Sequence, residues 1–410
     1  MRIRVLIINV LLLLVCGFSS AQTTRLSDLN TDESKVPAYS LPELLRLENG
    51  CRVRSVRKWE KRRRLELLSI FALQEYGMMP DSIPAVSLEL VESGPAFGGK
   101  AIRKQLDLVF RANGQERKVR LLEYIPSSCD GPCPCFVELN FKGNTATTSD
   151  PCVLAGEHDF GERADNARRW PYEQIIESGY AVVTAHYYDF YPDREDAPDE
   201  DKFAGSMLPL FGYDSLSGLP SDGPGAISVW AWGYSRILDY LICEEPLIDG
   251  AKVVSVGHSR LGKASLWAGA QDSRFAIVIA NDSGCCGAAL SKRCFGENLN
   301  RVMRFGTWFC KDFYRYSDRE AELPFDQHEL LALMAPRPLY VASAEDDVWS
   351  DPKGEYLSAL EAGKVYNLYG KPGLKPDASG TVGYHMRKGG HDILAEDWTH
   401  FMVFADRFLK

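Results

Sequence analysis

The chain has 410 residues, of which 45% are hydrophobic and 25% are charged, and its formal net charge at pH 7 is −9. This balance excludes a disordered chain, a fibre and a protein with many membrane spans, and it favours a compact soluble fold. The acidic balance also argues against a nucleic-acid partner, because sequence-independent binding to nucleic acids needs a basic surface.

The N-terminal residues have the three parts of a signal peptide. Two arginines stand within the first four residues, Val5–Val15 is an apolar stretch, and Ser19–Ala21 supplies the small residues of a cleavage site. A membrane anchor needs about 20 apolar residues, and this stretch is shorter and contains Asn9. Lipid attachment at Cys16 is the weaker alternative, because a bulky residue precedes it. We therefore predict a signal peptide over residues 1–21 and a secreted or periplasmic protein without a membrane association.

The following residues predict a flexible leader and then an alternation of helices and strands. Residues 22–40 are polar and irregular, and Pro42–Tyr76 has a helical pattern. The predicted strands are Val119–Tyr124, Cys135–Leu139, Tyr180–His186, Val253–Val256, Phe275–Ala280 and Leu339–Ala342. The other predicted helices are 173–178, Ala226–Leu241, Leu261–Ala270 and Ile393–Leu409.

Strands that alternate with helices imply parallel β-α-β units. We therefore predict an α/β fold, a three-layer sandwich in which helices cover both faces of a mostly parallel central sheet. The chain shows no internal repeat and no low-complexity linker. Residues 41–410 are accordingly predicted to form one catalytic domain with an N-terminal helical extension.

The cysteines raise the alternatives of disulfides, buried thiols and a metal site. Ten cysteines follow the signal peptide, and an even number in an exported chain favours disulfides. Cys129, Cys133, Cys135 and Cys152 lie near one another in the sequence, but they lack the paired Cys-x2-Cys spacing of a zinc site. We expect disulfides or buried thiols there rather than a metal, and their connectivity stays open.

The most informative stretch is the turn at Gly257–Gly262, which joins a buried strand to a helix. Its Gly-x-Ser sequence places Ser259 in a tight turn that exposes the hydroxyl group, as in the nucleophile elbow of α/β-hydrolases. The positive end of the following helix favours a developing oxyanion. The usual second glycine is replaced by Leu261, and Gly262 follows it. The alternative is a serine that only caps the helix.

A serine becomes nucleophilic when a histidine accepts its proton and a carboxylate orients that histidine. In α/β-hydrolases the order along the chain is serine, acid, histidine. His391 follows two glycines and precedes the last predicted helix, in a loop that can reach the carboxyl end of the sheet. His385, also predicted in a loop, is the rival, and His400 falls within the helical pattern.

Two aspartates are candidates for the acid. Asp347 follows the strand Leu339–Ala342, and Asp282 ends the earlier strand Phe275–Ala280. Asp347 is preferred, because α/β-hydrolases usually place the acid after this late strand. The alternative for both is structural, since aspartates at strand ends commonly cap turns and helices.

Several motifs, in order, resemble the glucuronoyl esterases of carbohydrate esterase family 15. They lie between about Leu41 and the C-terminus and read ELNFKGN, GHSRLGKASLWAGA, NDSGCCGAALSKRCFGENLNR, SAEDDVWSDP and GGHD. The resemblance implies an α/β-hydrolase fold that needs no metal or other cofactor. It also implies hydrolysis of esters between (4-O-methyl-)glucuronic acid on xylan and lignin-type alcohols.

The same resemblance implies residue roles by position. Ser259 corresponds to the nucleophile, His391 to the base, and Arg260 to an arginine that supports the oxyanion. The positions that bind the sugar are Lys263, Glu297 and Trp349. Arg260 and Lys263 are also unusual in themselves, because cations in the first turn of a helix meet the positive end of its dipole. The alternative for these two is that they are ordinary surface charges.

The chain departs from the fungal members of this family at the site. Many of them have glutamate where this chain has the shorter Asp282, which favours Asp347 as the acid. His258 and Asp392 occupy the places of two fungal cysteines, so the fungal disulfide at the site is not available. The pattern therefore resembles the bacterial branch of the family.

Two other functions stay open at this stage. One is an esterase for another carbohydrate ester, such as acetyl xylan, and the other is a carbohydrate-binding protein without catalysis. The expected partner is a glucuronoxylan or lignin-carbohydrate ester substrate, and the expected state is a monomer. The aromatic run Tyr187–Tyr191 follows a strand and either lines the cleft or packs in the core.

Overall fold

The computed structural model describes residues 29–410. The predicted signal peptide, residues 1–21, and residues 22–28 of the predicted leader lie outside the described residues. The described end of the leader contains the short 3-10 helix Glu33–Lys35. Glu33 forms ion pairs with Arg293 at 2.5 Å and Lys353 at 2.6 Å. Within the described part of the chain, no helix combines the length and the apolarity that crossing a membrane requires.

A nine-stranded sheet lies at the centre of residues 29–410, in the order β1-β2-β3-β5-β4-β6-β7-β8-β9. The strands are β1 (Ala85–Ala96), β2 (Ala101–Ala112), β3 (Gln115–Pro126), β4 (Cys133–Asn140), β5 (Ala181–His186), β6 (Ile248–His258), β7 (Ile277–Asn281), β8 (Leu339–Ala344) and β9 (Val382–Arg387). Strands β1, β2, β3 and β5 pair in antiparallel fashion, and the pairs from β5 to β9 are parallel. The predicted mostly parallel sheet is confirmed.

Helices cover both faces of this sheet. They are α1 (Val56–Lys58), α2 (Arg64–Phe71), α3 (Tyr172–Glu177), α4 (Asp199–Ala204), α5 (Ala226–Cys243), α6 (Arg260–Gln271), α7 (Leu299–Val302), α8 (Gln327–Ala332), α9 (Pro352–Tyr366) and α10 (Ala395–Leu409). Neighbouring residues of β6 face opposite sides, because Val253 belongs to the core with Trp230 of α5, and Val254 to the core with Trp398 of α10. The three layers of the predicted sandwich follow from this alternation.

The structure corrects several element boundaries. The predicted helix over Pro42–Tyr76 begins only at Val56, after turns and an isolated bridge between Arg46 and Arg52. The sequence analysis also missed β1, β2, β9 and α9. Strand β1 is mostly exposed and alternates polar with apolar residues at a sheet edge, so it lacks the apolar run of a buried strand.

The ten cysteines among residues 29–410 are free thiols, and five of them are buried. In the cluster for which disulfides or buried thiols were expected, the structure has buried thiols at two of the four positions, while Cys129 is partly exposed and Cys152 is exposed. Cys133 and Cys135 are buried in β4, and burial raises the pKa of Cys133 to about 12. Among the described residues, no three thiols of the cluster Cys129, Cys133, Cys135 and Cys152 lie close enough together to share a metal ion.

Candidate active site

Ser259 occupies the tight turn between β6 and α6. Its backbone has φ 58° and ψ −129°, a strained conformation for a residue other than glycine. The turn is possible because two glycines leave room for it. A Cβ on Gly257 would lie 2.0 Å from the carbonyl oxygen of Leu261, and a Cβ on Gly262 would lie 2.9 Å from the Cβ of Ser283. Gly262, one position after the usual second glycine of the elbow, therefore allows the helix to pack closely against Ser283.

We expect Gly257→Ala to lower the free energy of unfolding by about 2–4 kcal/mol, because the added methyl group meets backbone that cannot move aside. Urea unfolding of the variant and the wild type measures this loss. Gly390→Ala is the control, since a Cβ there meets nothing within 4 Å and φ is not in the left-handed region. Equal stability of the two variants would contradict this explanation of the turn.

Three of the predicted site residues form one hydrogen-bonded chain. The Oγ atom of Ser259 lies 2.8 Å from Nε2 of His391, and Nδ1 of His391 lies 2.6 Å from Oδ2 of Asp347. Burial acts to raise the pKa of Asp347, but hydrogen bonds from His391 and Ser350 outweigh it and hold that pKa below its usual value. An ionised Asp347 accepts a hydrogen bond from the Nδ1–H group of His391, which leaves Nε2 free to accept the proton of Ser259.

The second candidate acid, Asp282, lies beside these three hydrogen-bonded side chains and differs from Asp347 in its protonation. Burial, with the negative charges of Glu355 and Asp347, raises the pKa of Asp282 to about 9. Its Oδ2 atom lies 3.4 Å from a guanidinium nitrogen of Arg387 and 3.3 Å from the backbone nitrogen of Asp392. Asp282 is therefore protonated at neutral pH, and His391 donates its Nδ1 hydrogen bond to Asp347.

Asp282, Asp347 and His391 also form the one group of described side chains whose potential ligand atoms lie within 4.8 Å of one another. A metal ion there would compete with the hydrogen bond between Asp347 and His391. It would also have to displace the proton of Asp282, whose pKa is raised to about 9. This chemistry fits a proton relay better than a metal site.

The other C-terminal histidines lie away from the serine. The prediction of a loop at His385 is wrong, because this residue lies in β9, where a polar sequence hides the strand pattern. Its ring nitrogens bind Asp397 at 2.8 Å and the Tyr340 hydroxyl at 3.1 Å, and the ring stacks on His400. His385 therefore has structural partners on both sides.

His258, the residue before the serine, packs against His391 with the ring centroids 4.6 Å apart. Its Nδ1 atom lies 2.6 Å from Oδ1 of Asn281. Burial, with the positive charge of a protonated His391, holds the pKa of His258 well below its usual value. His258 is therefore neutral, and it adds no positive charge beside the proposed base.

Arg260 lies in the first turn of α6 and is held from two sides. Its guanidinium forms an ion pair of 2.5 Å with Asp193 and lies 4.7 Å above the ring of Trp308 and 5.5 Å from that of Phe305. The sequence analysis missed Asp193, Trp308 and Phe305. No local motif connects them with the elbow, because they come from loops that only the fold brings to it.

The predicted sugar-binding residues line the same cavity as the serine. The Nζ atom of Lys263 donates to the carbonyl oxygen of Ser283 at 2.6 Å and lies 3.9 Å from Oε2 of Glu297. Burial raises the pKa of Glu297, although the ammonium group of Lys263 opposes the shift. The backbone nitrogen of Glu297 donates to the carbonyl oxygen of Trp349. The cavity encloses about 300 Å³ and is lined by Glu195, Ser259, Arg260, Lys263, Asp282, Ser283, Gly284, Glu297, Arg304, Phe305, Trp308, Asp347, Trp349, Ser350 and His391.

The aromatic run Tyr187–Tyr191 lies outside this lining. Tyr187, Phe190 and Tyr191 are buried in the main core, and Tyr191 accepts a hydrogen bond from Trp230 through its carbonyl oxygen. The core alternative is therefore the one that the structure bears out for this run.

Known proteins resemble this chain over most of its length. A family model described as "Glucuronyl esterase, fungi" matches residues 173–370. The carbohydrate esterase MZ0003 of an unknown prokaryotic organism is 39% identical over 405 residues, which cover 93% of this chain and 92% of that protein. The chain belongs to the glucuronoyl esterase family, carbohydrate esterase family 15.

Further glucuronoyl esterases support the assignment. The solved structure of one from Solibacter usitatus matches with a TM-score of 0.84 and 39% identity, over 92% of this chain and 100% of that chain. A 4-O-methyl-glucuronoyl methylesterase of Phanerochaete carnosa is 27% identical over 350 residues, which cover 81% of this chain and 73% of that protein. The predicted family, the α/β-hydrolase fold and the enzyme class, a carboxylic ester hydrolase, are confirmed.

Proposed function

We propose that this enzyme hydrolyses esters of glucuronic acid or of its 4-O-methyl derivative through an acyl-enzyme on Ser259. The observation that carries the proposal is the hydrogen-bonded chain from Ser259 through His391 to Asp347, which opens into a cavity with a lysine–glutamate pair. The names of relatives as glucuronoyl esterases and 4-O-methyl-glucuronoyl methylesterases support the same substrate class.

The proposed reaction begins when His391 accepts the proton of Ser259 at Nε2 and the serine oxygen attacks the ester carbonyl carbon. The negative oxygen of the tetrahedral intermediate is stabilised by the N-terminal end of α6 and by the guanidinium of Arg260. His391 then gives the proton to the leaving alcohol. In the second half, His391 takes a proton from water while the water oxygen attacks the acyl carbon. The bond between this carbon and the serine oxygen then breaks, His391 returns the proton to Ser259, and the free acid leaves.

The charges of the cavity suit an acyl group that is a neutral sugar ring. The carboxyl group of the uronic acid is esterified in the substrate, so hydroxyl groups are left for recognition. Lys263 can donate to ring hydroxyls, and Glu297 can accept from them, because both line the cavity beside Ser259. Trp349 offers an aromatic face, which packs well on the apolar face of a sugar.

The setting of this reaction is proposed from the sequence. The segment of residues 1–21 directs export, so the enzyme acts outside the cytoplasm on glucuronoxylan or lignin-carbohydrate esters. It works as a monomer without a cofactor.

The test of this function compares two substrates. We expect the purified enzyme to hydrolyse methyl or benzyl glucuronate with a kcat/KM at least about 100-fold above that for acetyl release from acetylated xylan. The reason is that Lys263 and Glu297 can hydrogen-bond to the ring hydroxyls of a uronic acyl group, and an acetyl group has none. Methanol or benzyl alcohol and acetate are measured by chromatography. Preference for acetylated xylan would reassign the enzyme to acetyl esters, and binding of glucuronate oligosaccharides without turnover would indicate a binding protein.

Lys263→Met is expected to lower kcat/KM on methyl glucuronate by about 10–100-fold, the effect of losing hydrogen bonds from a charged donor. The same variant should change the hydrolysis of p-nitrophenyl acetate by less than about threefold, since that ester has no ring hydroxyls for Lys263 to bind. Thermal unfolding checks that the variant is folded. Equal losses on both substrates would show that Lys263 supports the catalytic centre rather than the sugar.

A further inference from the structure

The guanidinium of Arg260 depends on one buried carboxylate. Asp193 lies in the loop after β5 and is 6% exposed. Its Oδ2 atom accepts a hydrogen bond from Nη1 of Arg260 at 2.5 Å, and its Oδ1 atom accepts one from Nε1 of Trp308 at 2.9 Å. Both oxygens are therefore bound by donors whose side chains line the catalytic cavity.

Two stacked aromatic rings support the Arg260 guanidinium from the side that Asp193 does not contact. The Arg260 guanidinium lies over Trp308, and Phe305 stacks on Trp308 with the ring centroids 4.0 Å apart and an interplanar angle of 8°. A cation over an aromatic face is attracted to it, but it can slide along the ring. The ion pair with Asp193 prevents that sliding, so the two contacts together define one position of the guanidinium.

The core of the protein holds Asp193 itself. The hydroxyl of Tyr187 lies 3.5 Å from the backbone carbonyl oxygen of Asp193, and the indole of Trp230 donates to the carbonyl oxygen of Tyr191 at 3.1 Å. The first contact lies within the loop, and the second joins the loop to the core helix α5. Burial raises the pKa of Asp193, while the positive charge of Arg260 opposes the rise. The fold thus keeps a buried carboxylate, at a desolvation cost, against the arginine that follows Ser259.

We propose that Asp193 is a positioning residue that fixes the guanidinium of Arg260 where the oxygen of the tetrahedral intermediate becomes negative. The inference rests on the proposed function of Arg260 and extends it to Asp193, which is not among the residues that line the cavity. A donor that is displaced by a fraction of an ångström loses much of its effect on a transition state.

The direction of the change in kcat on removing the Asp193 carboxylate distinguishes a loss of positioning from a loss of negative charge. Asp193 carries a negative charge close to Arg260, so removing that charge alone would strengthen the positive field on the oxyanion and raise kcat. Loss of positioning acts the other way and lowers kcat. Asp193→Asn tests both, because an amide has one acceptor oxygen for two donors and must leave Arg260 or Trp308 facing its NH2 group.

We expect Asp193→Asn to lower kcat on methyl glucuronate by about 10–100-fold, with KM changed less than about threefold. The control is a double-mutant cycle with Arg260→Ala. In the Arg260→Ala background, Asp193→Asn should change kcat by less than about twofold, because the group that it positions is gone. Thermal unfolding of all four proteins shows whether each is folded.

Trp308→Phe is the second variant, for use if Asp193→Asn does not fold. It keeps an aromatic ring under Arg260 and removes the donor to Oδ1 of Asp193. We expect kcat to fall by about threefold or more, and this fall should vanish in the Arg260→Ala background.

An unchanged or raised kcat in Asp193→Asn would overturn the inference, and so would a loss that persists without Arg260. The proposed function fails differently, through a wild type that does not hydrolyse methyl glucuronate. In that case the same cycle on p-nitrophenyl acetate still decides the role of Asp193, because the oxyanion forms on any ester.

Discussion

Ser259→Ala is expected to lower kcat/KM on methyl glucuronate by about 10,000-fold or more, because alanine cannot form the acyl-enzyme and only the oxyanion site and binding remain. The fold should persist. The hydroxyl group makes its one hydrogen bond to a partly exposed histidine, and alanine meets the same backbone strain as serine at φ 58°. Steady-state rates and thermal unfolding of both proteins measure the two quantities.

A covalent probe provides the control for this variant. A serine-reactive phosphonate should add its mass to the wild type, on the peptide that contains Ser259, and should leave Ser259→Ala unlabelled. A variant that keeps a tenth of the wild-type rate would show that another residue is the nucleophile.

Asp347→Asn is expected to lower kcat by about 1,000–10,000-fold, because an amide NH2 group opposite Nδ1 favours the wrong tautomer of His391. Asp282→Asn is its matched control, with the same chemical change at a neighbouring carboxyl group. Since the pKa of Asp282 is about 9, this group is already neutral at pH 7, and an amide of nearly the same shape should cost less than about tenfold. Rates at pH 7 on methyl glucuronate compare the two variants.

The two aspartates should also differ with pH. Above about pH 9 the wild type gains a negative charge at Asp282 that Asp282→Asn cannot gain, so the ratio of the two rates should be constant below that pH and change only above it. The reverse ranking of the variants at pH 7 would move the role of orienting His391 to Asp282. Equal, modest losses would mean that the two carboxyl groups share it.

The buried half of the fold could be predicted, and the edges could not. Strands β4 to β8 have apolar runs or β-branched residues because both faces of each are covered, and this signal is local. Strand β9 carries His385 and Arg387, whose polar side chains both hydrogen-bond to Asp397 from α10. A polar strand of this kind is stable only when a distant helix supplies its partners, so its own residues do not indicate it.

The sequence by itself predicted the turn at Ser259, the proposed order of serine, acid and histidine along the chain, and the family. These features depend on neighbouring residues, such as the glycines that the elbow requires, or on motifs that are continuous in the chain. Only the tertiary structure decided which aspartate contacts His391 and which carboxylate holds Arg260. Both questions depend on distances of a few ångströms between side chains from separate loops. They also depend on the burial that raises the pKa of Asp282 and on the hydrogen bonds that hold the pKa of Asp347 low. Such distances and burial arise from packing of the whole chain, so no local pattern of residues encodes them.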